Sequence, residues 1–290
     1  MDHRNGARMR YGLSVINLWR LGQPSTIQEI ARTAEDAGWD GLFVWDHLSA
    51  TWTDGVTISD PWMLLAGAAC VTERIAVGTN VTPVPRRRPQ VLAAQVATLD
   101  HLSNGRAVLG VGLGGDEADY VRFGEDFDPK VRAEKLDEAL GVITDLWSGE
   151  VVRHRGRHYV VDGIRNLLGP LQQPRCPIWV GGDSRPAMRR AARWDGWTTG
   201  VIADESGRVG TSPAQMAERI RYVHEHRDPR RLDEPFDIVV DGYSDAGPAG
   251  VELAASYAAV GATWWLDGIN GLRGSVPDLM DRIAAGPPRE

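Results

Sequence analysis

Arg106-Ala-Val-Leu-Gly-Val-Gly-Leu-Gly-Gly115 is the stretch on which the fold turns. Its first half, residues 107–111, is apolar and β-branched at Val108 and Val111, the pattern of a strand buried on both faces in a parallel sheet. Its second half carries Gly110, Gly112, Gly114 and Gly115. Glycines there remove side chains and let a flat or bulky ligand approach the backbone. Upstream, a helix pattern over 89–102 stops at Ser103-Asn104-Gly105, a glycine-capped end. Downstream, Asp116 and Glu117 suit the first turn of a helix. The unit is therefore helix, turn, buried strand, glycine-rich strand end, helix.

Working outward, the same unit recurs along the chain. Strands are expected at 11–16, 41–45, 75–81, 107–112, 177–180, 196–202, 236–240 and 262–266. Between them Ser25 to Gln28 reads as a capping box opening a helix that ends near Gly38. Asp60-Pro61 reads as a cap and first-turn proline. Residues 130–147 form a long amphipathic helix, and further helices follow at 185–193, 212–226, 248–260 and 276–284. Residues 149–176 break the rhythm: Val151-Val152 and residues 158–161 flank Arg155-Gly156 as an inserted hairpin between strands four and five. Eight strand–helix units point to a single (β/α)8 TIM barrel over residues 10–290, with a doubly wound open sheet as the alternative. Closure would put Asp46, Asn80, Gly112, Gly181 and the end of the last strand on one rim.

Composition sets the outer limits. A chain of 290 residues with 42% apolar content can build a large core. The net charge is −7, and Arg86-Arg87-Arg88 is too short a basic run for a nucleic-acid surface. Cys70 and Cys176 have no partners at metal-ligand spacing and sit among apolar residues, so they are expected as buried free thiols, and no metal is expected. No apolar run has transmembrane length and no signal core precedes residue 10, which gives a soluble, cytoplasmic expectation with a loose leader over 1–9.

Three stretches resemble the bacterial-luciferase-like oxidoreductases, the flavin- and deazaflavin-dependent superfamily. They are Ala37-Gly-Trp-Asp-Gly-Leu-Phe-Val-Trp-Asp-His47, Leu99-Asp-His-Leu-Ser-Asn-Gly-Arg-Ala-Val-Leu-Gly-Val-Gly112 and Pro177-Ile-Trp-Val-Gly-Gly182. Phe123-Gly124 and Leu146-Trp-Ser-Gly149 fit as well, and the order runs over nearly the whole chain. The resemblance implies a luciferase-like barrel, a flavin-type cofactor at the strand C-terminal ends, commonly a homodimer, and a bulge or non-proline cis peptide near Thr79, Asn80 and Val81. In sugar-phosphate dehydrogenases of the deazaflavin group a glutamate follows the Gly-x-Gly turn. Gly115 stands there in this chain, beside Asp116 and Glu117, which argues against that alcohol oxidation.

The residues carry the reading physically. Gly181-Gly182-Asp183-Ser184 is a glycine turn feeding a helix, suited to a phosphate; the plain alternative is a turn capped by Ser184. Thr79 and Asn80 offer polar groups to a ring edge, and Gly112 and Gly114 leave room above it. Gly110, Gly112 and Gly115 also match the dinucleotide fingerprint, but they sit on strand four with no acidic strand end about 20 residues on, so that match is discounted. Asp46-His47 is the polar pair at a strand end; the resemblance to the deazaflavin-dependent relatives implies Asp46 by the cofactor and His47 by the reacting centre, which makes His47 the candidate acid–base residue, with a hydrogen-bonded structural histidine as the plain alternative. His101 reads as structural, and His154, His158, His224 and His226 as surface residues. Trp19, Trp45, Trp52 and Trp62 are candidate walls of a dry pocket. The expectation is an oxidoreductase, first a monooxygenase using reduced FMN from a separate reductase and molecular oxygen on a small organic substrate. The alternatives are F420-dependent hydride transfer and a non-catalytic flavin-binding barrel.

Overall fold

Eight strands pair only in parallel and close on themselves. They are β1 (Arg10–Val15), β2 (Gly41–Val44), β3 (Ala76–Thr79), β4 (Ala107–Gly112), β5 (Ile178–Gly181), β6 (Gly196–Gly200), β7 (Asp237–Gly242) and β8 (Trp264–Ile269). Each pairs with the next, and Arg10 to Val15 pair with Trp264 to Ile269, so the ring has no open edge. The closed ring rules out the open sheet. The computed structural model describes residues 8–50, 55–166, 168–202, 204 and 209–289. Most of the expected leader therefore lies outside the described residues.

The helices α1 (Pro24–Asp36), α2 (Pro61–Ala69), α3 (Pro89–Leu102), α4 (Pro129–Trp147), α5 (Arg185–Ala191), α6 (Pro213–Glu225), α7 (Pro248–Ala258) and α8 (Val276–Ala284) surround the ring. Asp60 caps α2 as expected, accepting the N–H groups of Trp62 and Met63 at 2.9 and 3.0 Å. The capping box expected at Ser25 does not form. Pro24 takes the first helical position, which puts Ser25 inside the first turn, and Gln23 is a cap without a side-chain bond. Residues 151–155 and 160–165 form the inserted hairpin, with a register shift at Val152/Arg153. No helix among the described residues is long and apolar enough to cross a membrane.

The apolar interior has two parts. Helix faces and outward strand residues form one continuous layer. Inside the ring, Phe43, Val108, Trp179, Val239, Trp264 and Leu266 form a separate plug. Its rings are tilted or edge-on, with centroids 4.9 Å (Phe43–Trp179) and 5.4 Å (Trp179–Trp264) apart. Cys176 is buried as expected, and burial pushes its thiol pKa up. Cys70 is exposed, contrary to expectation: it is the capping residue after α2, where the chain turns out of the apolar layer.

Candidate functional site

Side chains alternate along each strand, so the residues that follow the plug by two positions also face inward. On β7 that is Asp241, two after Val239; on β1 and β6 it is Ser14 and Thr198, two after Gly12 and Gly196, glycines whose missing side chains leave room for the plug, and Asn80 joins them just beyond β3. The result is a polar layer directly above the aromatic plug. Asn80 Nδ2 donates to Asp241 Oδ2 at 2.7 Å, and Thr198 Oγ1 donates to Asn80 Oδ1 at 2.9 Å. Ser14 Oγ accepts from Trp45 Nε1 at 2.9 Å and lies 3.4 Å from Asn80 Nδ2. The Asn80–Val81 peptide is cis, at the position the family resemblance implied.

This layer floors a cleft of about 610 Å³ at the C-terminal rim. Its walls are Trp45 and Val81, residues 112–115, residues 181–184, and Thr198 to Gly200, with Asp241 and Tyr243 opposite. Expected residues Asn80, Gly112, Gly114, Gly181, Gly182, Asp183 and Ser184 all line it. The glycines have different reasons to be there. A Cβ on Gly110 would lie 1.9 Å from the Thr79 carbonyl oxygen, so Gly110 serves the close β3–β4 packing. At Gly114 the backbone has φ +80°, and a Cβ would meet the Tyr120 ring at 2.9 Å. Gly115 faces open space, so its backbone is free for close approach.

A smaller lobe of about 240 Å³ shares Trp45, Asn80, Val81, Gly114 and Gly115 with the cleft, and adds Asp46, His47 and Asp119. His47 Nδ1 lies 3.1 Å from Asp119 Oδ2, and the imidazole is 24% exposed against 4% for the carboxylate. Asp119 also accepts from Leu48 N at 3.0 Å and Ser49 Oγ at 2.8 Å. Burial alone would raise the Asp119 pKa, but the bonds from His47 and Ser49 and the Arg86 charge hold it below the usual range. An ionised Asp119 sets the His47 tautomer: Nδ1 carries the proton and Nε2 is the basic nitrogen, an assignment made from the bonding pattern. Asp116, Asp119 and His47 bring ligand-type atoms within 4.8 Å of one another. Arg86 Nη1, 3.7 Å from Asp119, already supplies positive charge to that cluster.

Two expected cofactor contacts stand further back. The Asp46 carboxylate is fully buried and bonded to Arg86 at 2.9 Å and to Arg87 at 2.7 and 2.8 Å, so it fixes the strand end from behind. Thr79 is fully buried, its hydroxyl donates to the Gly110 carbonyl at 2.8 Å, and it lines neither the cleft nor the lobe. Of the tryptophans, Trp45 lines both spaces, Trp62 is buried beside a groove between α2 and α3, Trp19 lines neither, and Trp52 lies outside the described residues.

The Gly181–Ser184 turn has φ +124° at Gly182, where a Cβ would sit 2.9 Å from Ala187 Cβ. Gly182 N–H donates to Thr198 O at 3.3 Å, and Ser184 Oγ accepts from Ala187 N at 3.3 Å as the cap of α5. Asp183 accepts from Thr199 and lies 3.5 Å from Arg219, which offsets its charge beside the turn. Among the histidines expected at the surface, His154 lies 3.0 Å from Glu138 and is half-buried, while His224 and His226 are exposed.

Asp119, Thr198 and Asp241 escaped the sequence reading because their partners are 72 to 161 positions away. One signal was present: Arg86-Arg87, read only as a basic cluster, forms the buried counter-charge of the site's carboxylates.

Known proteins match this architecture. An F420-dependent secondary alcohol dehydrogenase in complex with an F420-acetone adduct superposes with a TM-score of 0.79 at 18% identity, over 96% of this chain and 97% of that one. The FMN complex of a type II Baeyer–Villiger monooxygenase, the oxygenating constituent of 3,6-diketocamphane monooxygenase from Pseudomonas putida, gives 0.76 at 15% identity, over 96% of both chains. In sequence, an F420-dependent glucose-6-phosphate dehydrogenase of Microbacterium testaceum (strain StLB037) is 36% identical over 174 residues, 59% of this chain and 50% of that one. Its namesake from Nakamurella multipartita is 36% identical over 181 residues, 61% and 52% of the two chains. The chain spans about half the length of these curated relatives. The family described as luciferase-like monooxygenase matches residues 4–242, and the chain belongs to that family.

Proposed function

We propose that this protein is an F420-dependent oxidoreductase that moves a hydride between the deazaflavin and a small organic substrate. The observation that carries the reading is one rim cleft joining residues 80–81, 112–115 and 181–184, with the His47–Asp119 pair at its side. The choice of F420 over reduced FMN rests on the two relatives of that name at 36% identity. The fit is physical: the cleft is open above Gly115, apolar at Trp45, Val81 and Leu113, and polar at its floor. When bound, the deazaflavin would supply two-electron hydride acceptance or donation.

The chain's own residues supply the rest. Asn80 and the glycine backbone would hold the ring, and the Gly181–Ser184 turn would receive the phosphate. His47 would hold or release the substrate proton at Nε2, with Asp119 fixing its orientation and stabilising its charged form. Gly115 leaves the glutamate position of the sugar-phosphate dehydrogenases empty, but Asp116 and Asp119 bring carboxylates to His47 by another route. A monooxygenase using reduced FMN from a separate reductase is the second reading, favoured by the apolar wall of Trp45, Val81 and Leu113, which would keep water out. A homodimer belongs to the proposal too. Met63, Val91 and Leu102 are exposed along α2 and α3 beside an apolar groove that a second copy would cover. A monomer mass in sedimentation would remove it.

Fluorescence quenching with F420 and FMN, followed by turnover with and without oxygen, tests the reading. The expected result is binding at least about tenfold tighter for F420, a gap of about 1.4 kcal/mol, and turnover independent of oxygen. Preferential FMN binding with oxygen consumption would transfer the assignment to the second reading. Binding without turnover of any alcohol or carbonyl tried would favour the non-catalytic barrel.

A further inference from the structure

Asp241 is the carboxyl group of the cleft floor, and its surroundings differ from those of the buried, ion-paired acids Asp46, Asp119 and Asp267. It stands one inward position above Val239 of the aromatic plug, so apolar packing lies beneath it and the cleft above. Asn80 Nδ2 donates to its Oδ2 at 2.7 Å, and the Ser14 hydroxyl also bonds the carboxyl. On the neighbouring strands, β6 presents Thr198 and Thr199 to the cleft, while Asp267 of β8, next to the plug residue Leu266 and so turned away from the interior, reaches Asp241 through its charge alone. Tyr243, also on the cleft, accepts at its hydroxyl from Asn270 at 2.8 Å. Among the described residues Asp267 is the charged group acting on Asp241. It is fully buried and ion-paired with Arg273 at 2.7 Å and Arg282 at 2.6 Å. No cationic side chain of the described residues pairs with Asp241, whereas Asp119 has an arginine and Asp46 and Asp267 have two each.

We propose that Asp241 carries a proton when the cleft is occupied and presents it to an acceptor atom of the bound cofactor, so that cofactor binding is proton-linked at this residue. The inference rests on the reading of the cleft as a flavin-type site. Three features converge on it. Asn80 and Ser14 bond to the carboxyl without bringing a charge. The aromatic plug excludes water from below. Burial pushes the carboxyl up to about 7; the bond from Ser14 is the largest effect opposing it, the Asp267 charge adds to the rise, and the bond from Asn80 opposes it least. A neutral acid both donates a hydrogen bond and tolerates an electron-rich ring, whereas the carboxylate accepts only and repels one.

The test is the dissociation constant of F420, and of FMN, across the pH range in the native protein and in Asp241→Asn. The amide keeps a donor in place and cannot ionise. Binding that requires the protonated acid weakens by up to about tenfold per pH unit above the carboxyl's pKa, so the native constant should rise about thirtyfold from pH 6 to pH 8.5. Titration of the ligand itself is common to both proteins, and the native-to-variant ratio isolates Asp241. That ratio should change about thirtyfold over the range. A second measurement needs no substitution: calorimetry of the native protein in two buffers of different ionisation enthalpy should give nearly one proton taken up at pH 8.5 and almost none at pH 6. A flat ratio, or no uptake at pH 8.5 with normal binding, overturns the proposal and leaves the cleft reading intact. Absence of binding by either cofactor at every pH overturns the cleft reading and this proposal together.

Discussion

The two ends of the barrel are both lined by charged residues, and they use them in opposite ways. At the N-terminal end a cavity of about 510 Å³ is lined by Glu35, Arg106 and Asp237 among others. Arg106 donates to the carbonyls of Ala69, Thr72, Ile75 and Ser103 at 2.6 to 3.2 Å. Glu35 accepts the N–H groups of Glu73, Arg74 and Ile75. These side chains are bonded into backbone that would otherwise lack partners, and they join the α2–β3 and α3–β4 connections. At the C-terminal end the polar side chains bond mainly to one another: His47 to Asp119, Asn80 to Asp241, Thr198 to Asn80. The backbone there is bare glycine facing a cleft. One end closes the structure and the other leaves its polar groups lining a cleft, the division of labour expected of a (β/α)8 barrel.

His47→Ala and Glu35→Ala put the contrast at greatest risk. Asn17 holds the backbone of residue 47 through Oδ1 at 3.1 Å and Nδ2 at 2.9 Å, and neither bond needs the imidazole. Asp119 would keep Leu48, Ser49 and Arg86. His47→Ala should therefore leave the melting temperature nearly unchanged while turnover falls about 10²–10⁴-fold, the range for a lost acid–base group. Glu35→Ala should do the reverse, with about 3 kcal/mol lost from stability as three N–H donors lose an ionised acceptor, and normal turnover per folded molecule. Chemical denaturation and steady-state kinetics on the same two variants decide the matter. A destabilised His47→Ala with unimpaired turnover would falsify the catalytic assignment.

A smaller effect separates the ends by pH. Burial alone would raise the Glu35 pKa, but its three backbone donors and the Arg74 charge hold it below the ordinary value. A depressed carboxyl contributes stability above its unfolded pKa and loses it as pH falls through the folded one. Glu35→Gln should therefore lose less stability than the native protein between about pH 6 and about pH 3. The contribution of Asp119 at the other end has the same sign, so a variant at Glu35 flattens the acid limb only in part. An unchanged acid limb in Glu35→Gln would remove Glu35 from the stabilising network.

What could be read from the sequence divides along similar lines. The eight strands and their helices were legible because apolar periodicity and glycine or proline punctuation are local signals. The glycine-lined cleft was legible for the same reason, since Gly112 to Gly115 and Gly181 to Ser184 each sit at a recognisable strand end. Side-chain direction was not. Asp46 lies at the right strand end, yet two arginines from the segment after β3 claim its carboxylate. Thr79 and Asn80 are adjacent, and alternation sends one into the β3–β4 packing and the other into the barrel interior. Asp241 lies one residue past the strand expected at 236–240, and only closure of the ring brings it to Asn80, 161 positions away.

The finest comparison is between two serine caps. Ser184 caps α5 and Ser212 caps α6, each accepting a backbone N–H at 3.3 Å. As caps they are equivalent, and replacing either by alanine should cost about 1 kcal/mol of stability. Ser212 adds a reciprocal bond from its own N–H to Gln215 Oε1 at 2.9 Å, which the alanine variant keeps because it is made by the backbone. Only Ser184 lines the cleft. Its hydroxyl accepts from Ala187, which leaves its proton for a ligand oxygen in the turn. If that turn holds a phosphate, Ser184→Ala also removes a charge-assisted bond, and cofactor affinity should fall by about 1.5–3 kcal/mol, roughly tenfold to a hundredfold. Ser212→Ala should leave affinity unchanged at the same loss of stability. The matched loss is what makes the pair informative, because a drop in affinity caused by a loosened helix end would appear in both. Equal dissociation constants in the two variants would make Ser184 a cap and nothing more, and the phosphate would have to be sought elsewhere on the rim.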